Sequence, residues 1–355
     1  MATTEAMENL SAILHGKHDL RLEKSPIPDP LDDDVLLRVA SVGICGTDLH
    51  FWHEGRTGRF IVTEPVGLGH ETSAYVTKVG KNVKHLKVGD RVAIEPNLTC
   101  RKCEFCKRGT YNLCPTISFV EASPYRGHFR KYTLSKADLV FKVADHVSME
   151  EAALVEPFAV AIQACKRGNV QAGQKVLVCG AGPIGLLCMC AARAYGVDNI
   201  VQTDIIEPRL KTARSMGANH TINVSDLKPE EVAKRVEELL GAQPEITFEC
   251  TGNELCLQTA VYATKPGGSV LVVGMGALMS KVPIMEAVVK EIDIKGIFCY
   301  ANCYPTAVSL INSGKVKLSP MITHRYPLER VVEAFEHALS GCDGAIKITV
   351  NCYRP

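Results

Sequence analysis

Cys100, Cys103, Cys106 and Cys114 follow the spacing C-x2-C-x2-C-x7-C, in a loop that also carries Arg101, Lys102, Lys107 and Arg108. Four thiolates so close in sequence suit one tetrahedral Zn²⁺, and the cations offset the negative charge of a four-thiolate centre. A closed set of this kind has no open coordination position. The role expected of loop 97–115 is therefore structural, worth on the order of 10 kcal/mol of loop organisation by analogy with zinc fingers. A second set is dispersed: Cys45 within Gly43-Ile44-Cys45-Gly46-Thr47-Asp48, the pair His70-Glu71, and Glu156 in the run Leu-Val-Glu-Pro. Cysteine, histidine and carboxylate around zinc, with a position left for water, is the ligand type of a catalytic centre. Asp48 can either orient a ligand imidazole or cap a helix.

Gly180-Ala181-Gly182-Pro183-Ile184-Gly185 follows the apolar run Lys-Val-Leu-Val-Cys and opens a helical stretch. In that context G-x-G-x-x-G is a dinucleotide fingerprint. The first glycine makes the turn, the second admits the pyrophosphate, and the third lets helix pack on strand. The helix N-terminus near Ile184 would offer its N–H groups to the phosphates. Nineteen positions after Gly185 the next apolar run ends in Asp204, where a carboxylate accepts from the ribose hydroxyls and repels a 2′-phosphate. NAD is therefore expected over NADP, with the reservation that Arg209 can pair with a 2′-phosphate as well as stack on adenine or hold the ribose.

The elements that must position these groups fall into two textures. From about residue 34 to 145, short β-rich runs are broken by Gly, Pro and Asp. From Gln174 to Ile297, apolar strands alternate with amphipathic helical stretches, which implies a parallel sheet covered on both faces. Two more helical segments, near Tyr304–Ser313 and Leu328–Ser340, precede Ala-Ile-Lys-Ile-Thr-Val-Asn, a strand with no neighbour of its own that is expected to return to the first domain. The chain has 355 residues, enough for about two domains. Lys+Arg number 40 against Asp+Glu 39, which argues against a nucleic-acid groove. No apolar run is long enough to span a membrane, and the N-terminal residues have no signal-peptide pattern, so a cytoplasmic protein without membrane partners is expected. Fifteen cysteines in such a chain suggest metal binding and burial rather than disulfides.

The ordered series VLLRVASVGICGTDLHFW, GLGHE, VGDRVAIEP, CKRGTYNLCP, EPFAVAI, KVLVCGAGPIGLL and VPIMEAVVKEIDIKGIF resembles the zinc-containing medium-chain alcohol dehydrogenases, within them the sorbitol dehydrogenase subfamily, over almost the whole chain. The resemblance implies an α/β fold: a GroES-like β-rich catalytic domain (1–157) interrupted by a Rossmann doubly wound parallel-sheet domain (158–297), with 298–355 returning to the first. It also implies one catalytic and one structural zinc, NAD, a homotetramer, and oxidation of a secondary hydroxyl of sorbitol or xylitol to the ketose. By position, Cys45, His70 and Glu71 match the catalytic zinc ligands, although in related alcohol dehydrogenases the equivalent Glu stands behind the ligands. Glu156 matches the carboxylate that meets the zinc water or substrate, and Thr47 a proton-relaying hydroxyl. Ile184, Asp204, Arg209, Val273, Gly274, Met275, Ile297, Phe298 and Cys299 match cofactor positions.

Three departures fall where polyol hydroxyls should be held. Phe298-Cys299-Tyr300 replaces the subfamily's Phe-Arg-Tyr, Phe51 replaces a common Tyr, and loop 120–129 lacks the usual acidic run. Losing one charged hydrogen bond costs about 1.5–3 kcal/mol. The same chemistry on a less polar secondary alcohol is therefore the alternative expectation, with Arg126 or His128 as groups that could compensate. A non-catalytic dinucleotide-binding protein is the remote one.

Overall fold

The β-rich runs between Asn9 and Lys142 are short because Gly, Pro and Asp interrupt them, and they close on one another as antiparallel ladders. The computed structural model of the chain describes residues 8–58, 60–118 and 127–353. Contacts divide it into two compact units, Met1–Glu156 with Ile322–Pro355, and Pro157–Met321.

In the first unit the strand Asp34–Gly43 is the organising element. It pairs antiparallel with Glu71–Val79 on one side and with Lys347–Asn351 on the other, in registers that put Gly43 opposite both Glu71 and Thr349. The C-terminal strand thus does return to the first unit. It lies parallel to Ile322–Pro327, joined to it through the helix Val331–Ser340, as a parallel pair needs a crossover. On one side of this sheet Phe129 and Phe335 meet edge-on with centroids 5.4 Å apart, within a core that also holds Phe51, Trp52, Leu68 and Val350.

In the second unit six strands are all parallel. Their order across the sheet is His220–Asn223, Asn199–Asp204, Lys175–Cys179, Ile246–Glu249, Ser269–Val272, Asp293–Gly296. The direction in which successive strands are added reverses at Lys175–Cys179, which makes its carboxyl end the switch point where a doubly wound sheet binds its ligand. The central strands are buried on both faces, which is why they read as continuous apolar runs.

The boundary expected at residue 298 differs from the observed division, which keeps residues up to Met321 in the second unit. Specific bonds hold that segment there. The Lys166 ammonium donates to the Asn302 carbonyl at 3.0 Å, the Cys303 thiol donates to Gln163 at 3.4 Å, and Tyr304 lies fully buried. No helix among the described residues is long and apolar enough to cross a membrane.

Candidate metal centres and dinucleotide site

Cys45 follows the central strand and caps the helix Gly46–Glu54, while His70 immediately precedes, and Glu71 opens, the strand paired with it. Sheet register therefore brings together residues that are 25 positions apart, and one ligand atom from each of Cys45, His70 and Glu71 lies within 4.8 Å of the others. Asp48 performs both of the roles open to it. One carboxylate oxygen accepts from the Cys45 N–H at 3.1 Å, closing the helix start. The other accepts from the Gly69 N–H at 2.9 Å and stands 3.5 Å from His70 Nδ1. Burial works against a charged imidazole here, yet the Asp48 carboxylate and the Cys45 sulfur outweigh it and hold His70 well above its ordinary value. Surroundings that favour an imidazolium favour a metal cation too, so the donor set fits zinc in chemistry as well as in spacing. Thr47 lies half-buried on the first turn of the same helix, and Glu156 is buried at the end of this unit.

Lys347 is the member of this site that sequence reasoning missed. It is 2% exposed, and its Nζ donates to both Glu71 carboxylate oxygens at 2.8 Å and to the Ile44 carbonyl at 3.0 Å. Burial alone would lower its pKa, but Glu71, Cys45 and, further off, Glu156 raise it, so the ammonium stays charged. Each Glu71 oxygen keeps a further lone pair for another cation. The available signal was a lysine in a strand otherwise reading as buried, Lys-Ile-Thr-Val.

The loop cysteines also converge, with their four sulfurs within 4.8 Å of one another and Cys100 and Cys106 3.9 Å apart. Tetrahedral Zn–S bonds of about 2.3 Å place sulfurs about 3.8 Å from one another, so this set fits a closed zinc site. Backbone N–H groups already point at the sulfurs: Cys103 N to Cys100 Sγ at 3.3 Å, Cys106 N to Cys103 Sγ at 3.5 Å, Cys100 N to Cys114 Sγ at 3.4 Å. The thiols do not titrate alike. Despite the N–H of Cys106, desolvation and the neighbouring sulfurs push Cys103 up to about 11. Against desolvation, donors from Cys100 and Thr116 bring Cys114 down to about 6. Elsewhere burial pushes the thiols of Cys165, Cys179 and Cys250 well up, and none of the fifteen cysteines forms a disulfide.

In the second unit the glycine turn behaves as its three positions require. Gly180 has φ +101°, a Cβ on Gly185 would sit 2.0 Å from the Gly180 carbonyl oxygen, and a Cβ on Gly182 would meet nothing within 4 Å. Gly180 and Gly185 are needed by the fold, whereas Gly182 leaves space that a phosphate can use. Asp204 accepts from the Ala181 N–H at 2.6 Å and from the Ile206 N–H at 2.9 Å, so it ties the turn to the strand end and keeps lone pairs for ribose hydroxyls. Beside it lies a cavity of about 340 Å³ lined by Gly180, Asp204, Arg209, Val224, Thr251 and Leu255, among others. Val273 and Gly274 both donate to the Glu249 carbonyl, placing that loop beside the strand ends, with Met275 exposed. Ile297 donates to the Val272 carbonyl, Phe298 is exposed, and Cys299 is half-buried in a left-handed conformation, φ +48°.

The alcohol dehydrogenase GroES-like domain model matches residues 31–145, and the zinc-binding dehydrogenase model matches residues 183–313. Sorbitol dehydrogenase of Mus musculus is 49% identical over 352 residues, 99% of this chain and 98% of that protein. The chain belongs to the sorbitol dehydrogenase branch of the zinc-containing medium-chain dehydrogenases. Solved structures agree. An Escherichia coli oxidoreductase of unknown specificity superposes with TM-score 0.91 at 33% identity, covering 97% of this chain and 99% of its own. The 2R,3R-butanediol dehydrogenase of Bacillus subtilis does so with TM-score 0.87 at 31% identity, covering 97% and 100%. As a member of this branch the chain is a zinc- and NAD-dependent oxidoreductase.

Two residues expected at the substrate wall, Phe51 and Tyr300, are buried. Tyr300 is fully buried in the second unit, its ring 5.4 Å from that of Tyr304. Phe51 packs in the first unit's core with Trp52 and Leu68, so the missing hydroxyl is replaced by apolar contact. His128 is buried with Nδ1 2.9 Å from the Thr72 hydroxyl; burial, Arg130 and His70 bring it down to about 3, so it is neutral. Arg126 and residues 120–125 lie outside the described residues.

Proposed function

We propose that the chain oxidises a secondary hydroxyl of a polyol of the sorbitol or xylitol type to the ketose, with NAD as acceptor. What carries this reading is the convergence of Cys45, His70 and Glu71 in a chain similar to a sorbitol dehydrogenase from end to end. When bound, zinc supplies Lewis acidity towards the alcohol oxygen and NAD supplies the hydride acceptor. Cys45, His70 and Glu71 hold the catalytic zinc, and Asp48 and Lys347 hold two of those ligands in place. The Glu156 carboxylate would accept a hydrogen bond from a substrate hydroxyl or from water at the metal position. The Thr47 hydroxyl takes the alcohol proton and hands it towards solvent. Cys100, Cys103, Cys106 and Cys114 hold the structural zinc. Gly180, Gly182, Ile184 and Gly185 seat the pyrophosphate, and Asp204 selects the unphosphorylated ribose, with Arg209 against the adenosine end. Val273, Gly274, Met275, Ile297, Phe298 and Cys299 border the nicotinamide end.

A second reading rests on Cys299. A thiol in place of a guanidinium holds hydroxyls weakly, and with Phe51 and Tyr300 buried the wall favours a secondary alcohol with fewer hydroxyls. The similar 2R,3R-butanediol dehydrogenase is named for such a substrate. NADH formation from sorbitol, xylitol and simpler secondary alcohols, with NADP and chelator controls, separates the readings. Chelator-sensitive turnover of sorbitol supports the first. Turnover of simple alcohols alone, with Cys299→Arg gaining roughly 10-fold or more on sorbitol, supports the second. Silence across the panel refutes both.

We also assign a cytoplasmic homo-oligomer, a tetramer by resemblance. Ile284, Met285, Val288 and Val289 stand exposed beside the exposed edge strand Asp293–Gly296, an apolar face a second copy would cover. A monomer by sedimentation would overturn that assignment.

A further inference from the structure

A third group of metal-binding side chains lies outside both zinc constellations, on the returning segment of the first unit. The helix Val331–Ser340 ends at Gly341, whose N–H caps the His337 carbonyl at 3.1 Å with φ +59°. Asp343 then takes a left-handed φ of +53° and Gly344 one of +72°. This tight turn folds Cys342 and Asp343 back towards the last helical turn. One ligand atom from each of His337, Cys342 and Asp343 lies within 4.8 Å of the others. Three donors spaced i, i+5 and i+6 need little chain closure to form a chelate.

The surroundings prepare these donors as metal-site neighbours do. Tyr326 Oη lies 2.8 Å from His337 Nδ1, which fixes the ring and turns Nε2, 3.4 Å from the Cys342 carbonyl oxygen, towards the Cys342–Asp343 turn. The His324 ring packs against that of His337 with centroids 4.2 Å apart, bracing it from the adjacent strand. The Ser340 hydroxyl lies 2.9 Å from the His337 carbonyl oxygen and 3.1 Å from Cys342 Sγ, tying the turn to the last helical residues. The Cys342 thiol donates to an Asp343 carboxylate oxygen at 3.7 Å, so sulfur and carboxylate face the same point. Cys342 and Asp343 are exposed, which keeps a path open from solvent.

We propose that His337, Cys342 and Asp343 form a peripheral site for a borderline divalent cation of the zinc type, with water in the remaining position. One imidazole, one thiolate and one carboxylate are a zinc donor set, whereas magnesium and calcium take oxygen ligands. As the metal–sulfur bond forms, the Cys342 proton leaves to solvent, and no electron transfer is involved. The site shares no residue with the other two constellations, so it loads independently of them.

The test uses the holoenzyme, dialysed until it retains only tightly held zinc, then equilibrated with added Zn²⁺. Metal analysis should find one further equivalent that His337→Gln and Cys342→Ser both lose. Zinc bound to the thiolate should also slow alkylation of Cys342 by iodoacetamide, read by peptide mass, by roughly tenfold or more. That protection should vanish in His337→Gln and Asp343→Asn, which leave the thiol itself intact. The same alkylation rate with and without zinc, protection that survives both variants, or Mg²⁺ protecting as well as Zn²⁺ would overturn the site.

Discussion

Replacing Lys347 by Met keeps the length and apolar stem of the side chain and removes only its charge. The Glu71 carboxylate then loses both 2.8 Å bonds and the Ile44 carbonyl loses a donor, in a place where the two side chains are 3% and 1% exposed. Water has no room to take over. Removing one partner of a buried pair costs about 3–5 kcal/mol, because the remaining charge is stranded. For a unit of this size each kcal/mol moves Tm by roughly 2–4 °C, so Lys347→Met stripped of zinc should melt roughly 6–20 °C below the wild type. Glu71→Gln added to it should restore part of that loss, because a neutral amide strands no charge. Zinc, a second cation beside Glu71, should stabilise Lys347→Met by more than it stabilises the wild type. Thermal unfolding of the four proteins with and without zinc reads all of this. A fall in Tm of less than about 2 °C, or a double variant whose loss is the sum of the single losses, would refute the reasoning.

Glu95 accepts from Tyr111 at 2.7 Å, yet burial pushes it up to about 7 from 4.5. The folded chain therefore keeps this proton where the unfolded chain has lost it, and stability falls as pH rises from about 4.5 to about 7, by on the order of 3 kcal/mol. Glu95→Gln should abolish that slope in urea unfolding between pH 4.5 and 8; an unchanged slope would show that Glu95 is not its source. For His128 the sign is opposite: held down to about 3, it withdraws stability as pH falls below 6.5, so a His128→Gln variant should resist acid better than the wild type. In the glycine turn, Gly182→Val should fold with unchanged Tm and raise KM for NAD by roughly tenfold or more. Gly185→Val should lower Tm instead, since its Cβ meets the Gly180 carbonyl at 2.0 Å. Equal melting of the two would sink the division of labour between these glycines.

What could be read from the sequence was mainly what local spacing fixes. The four loop cysteines fall within fifteen positions, and the glycine turn lies between its own strand and helix, so each carries its geometry in a short segment. Cys45, His70 and Glu71 were legible as a candidate donor set from residue type, and their individual roles only through the resemblance, because register rather than spacing assembles them. The boundary at 298 slipped because Asn302 and Cys303 are tied to Lys166 and Gln163, well over a hundred positions away.

Lys347 shows most directly why register escapes sequence reading. It lies 276 positions from Glu71, and the two meet across the end of the central strand, whose Gly43 is paired with Glu71 on one side and Thr349 on the other. At Gly43 a Cβ would sit 2.1 Å from a Glu71 carboxylate oxygen, so the carboxylate occupies the space that a side chain there would fill. The glycine in Val-Gly-Ile-Cys is therefore part of the candidate metal centre although it has no ligand atom. A slip of one residue in either pairing would turn Glu71 or Lys347 to the opposite face and strand the other charge in the core. The buried ion pair thus acts as a register lock: the ladder holds Glu71 beside Cys45 and His70 only when both neighbouring strands are correctly aligned, and folding and metal binding then depend on the same alignment.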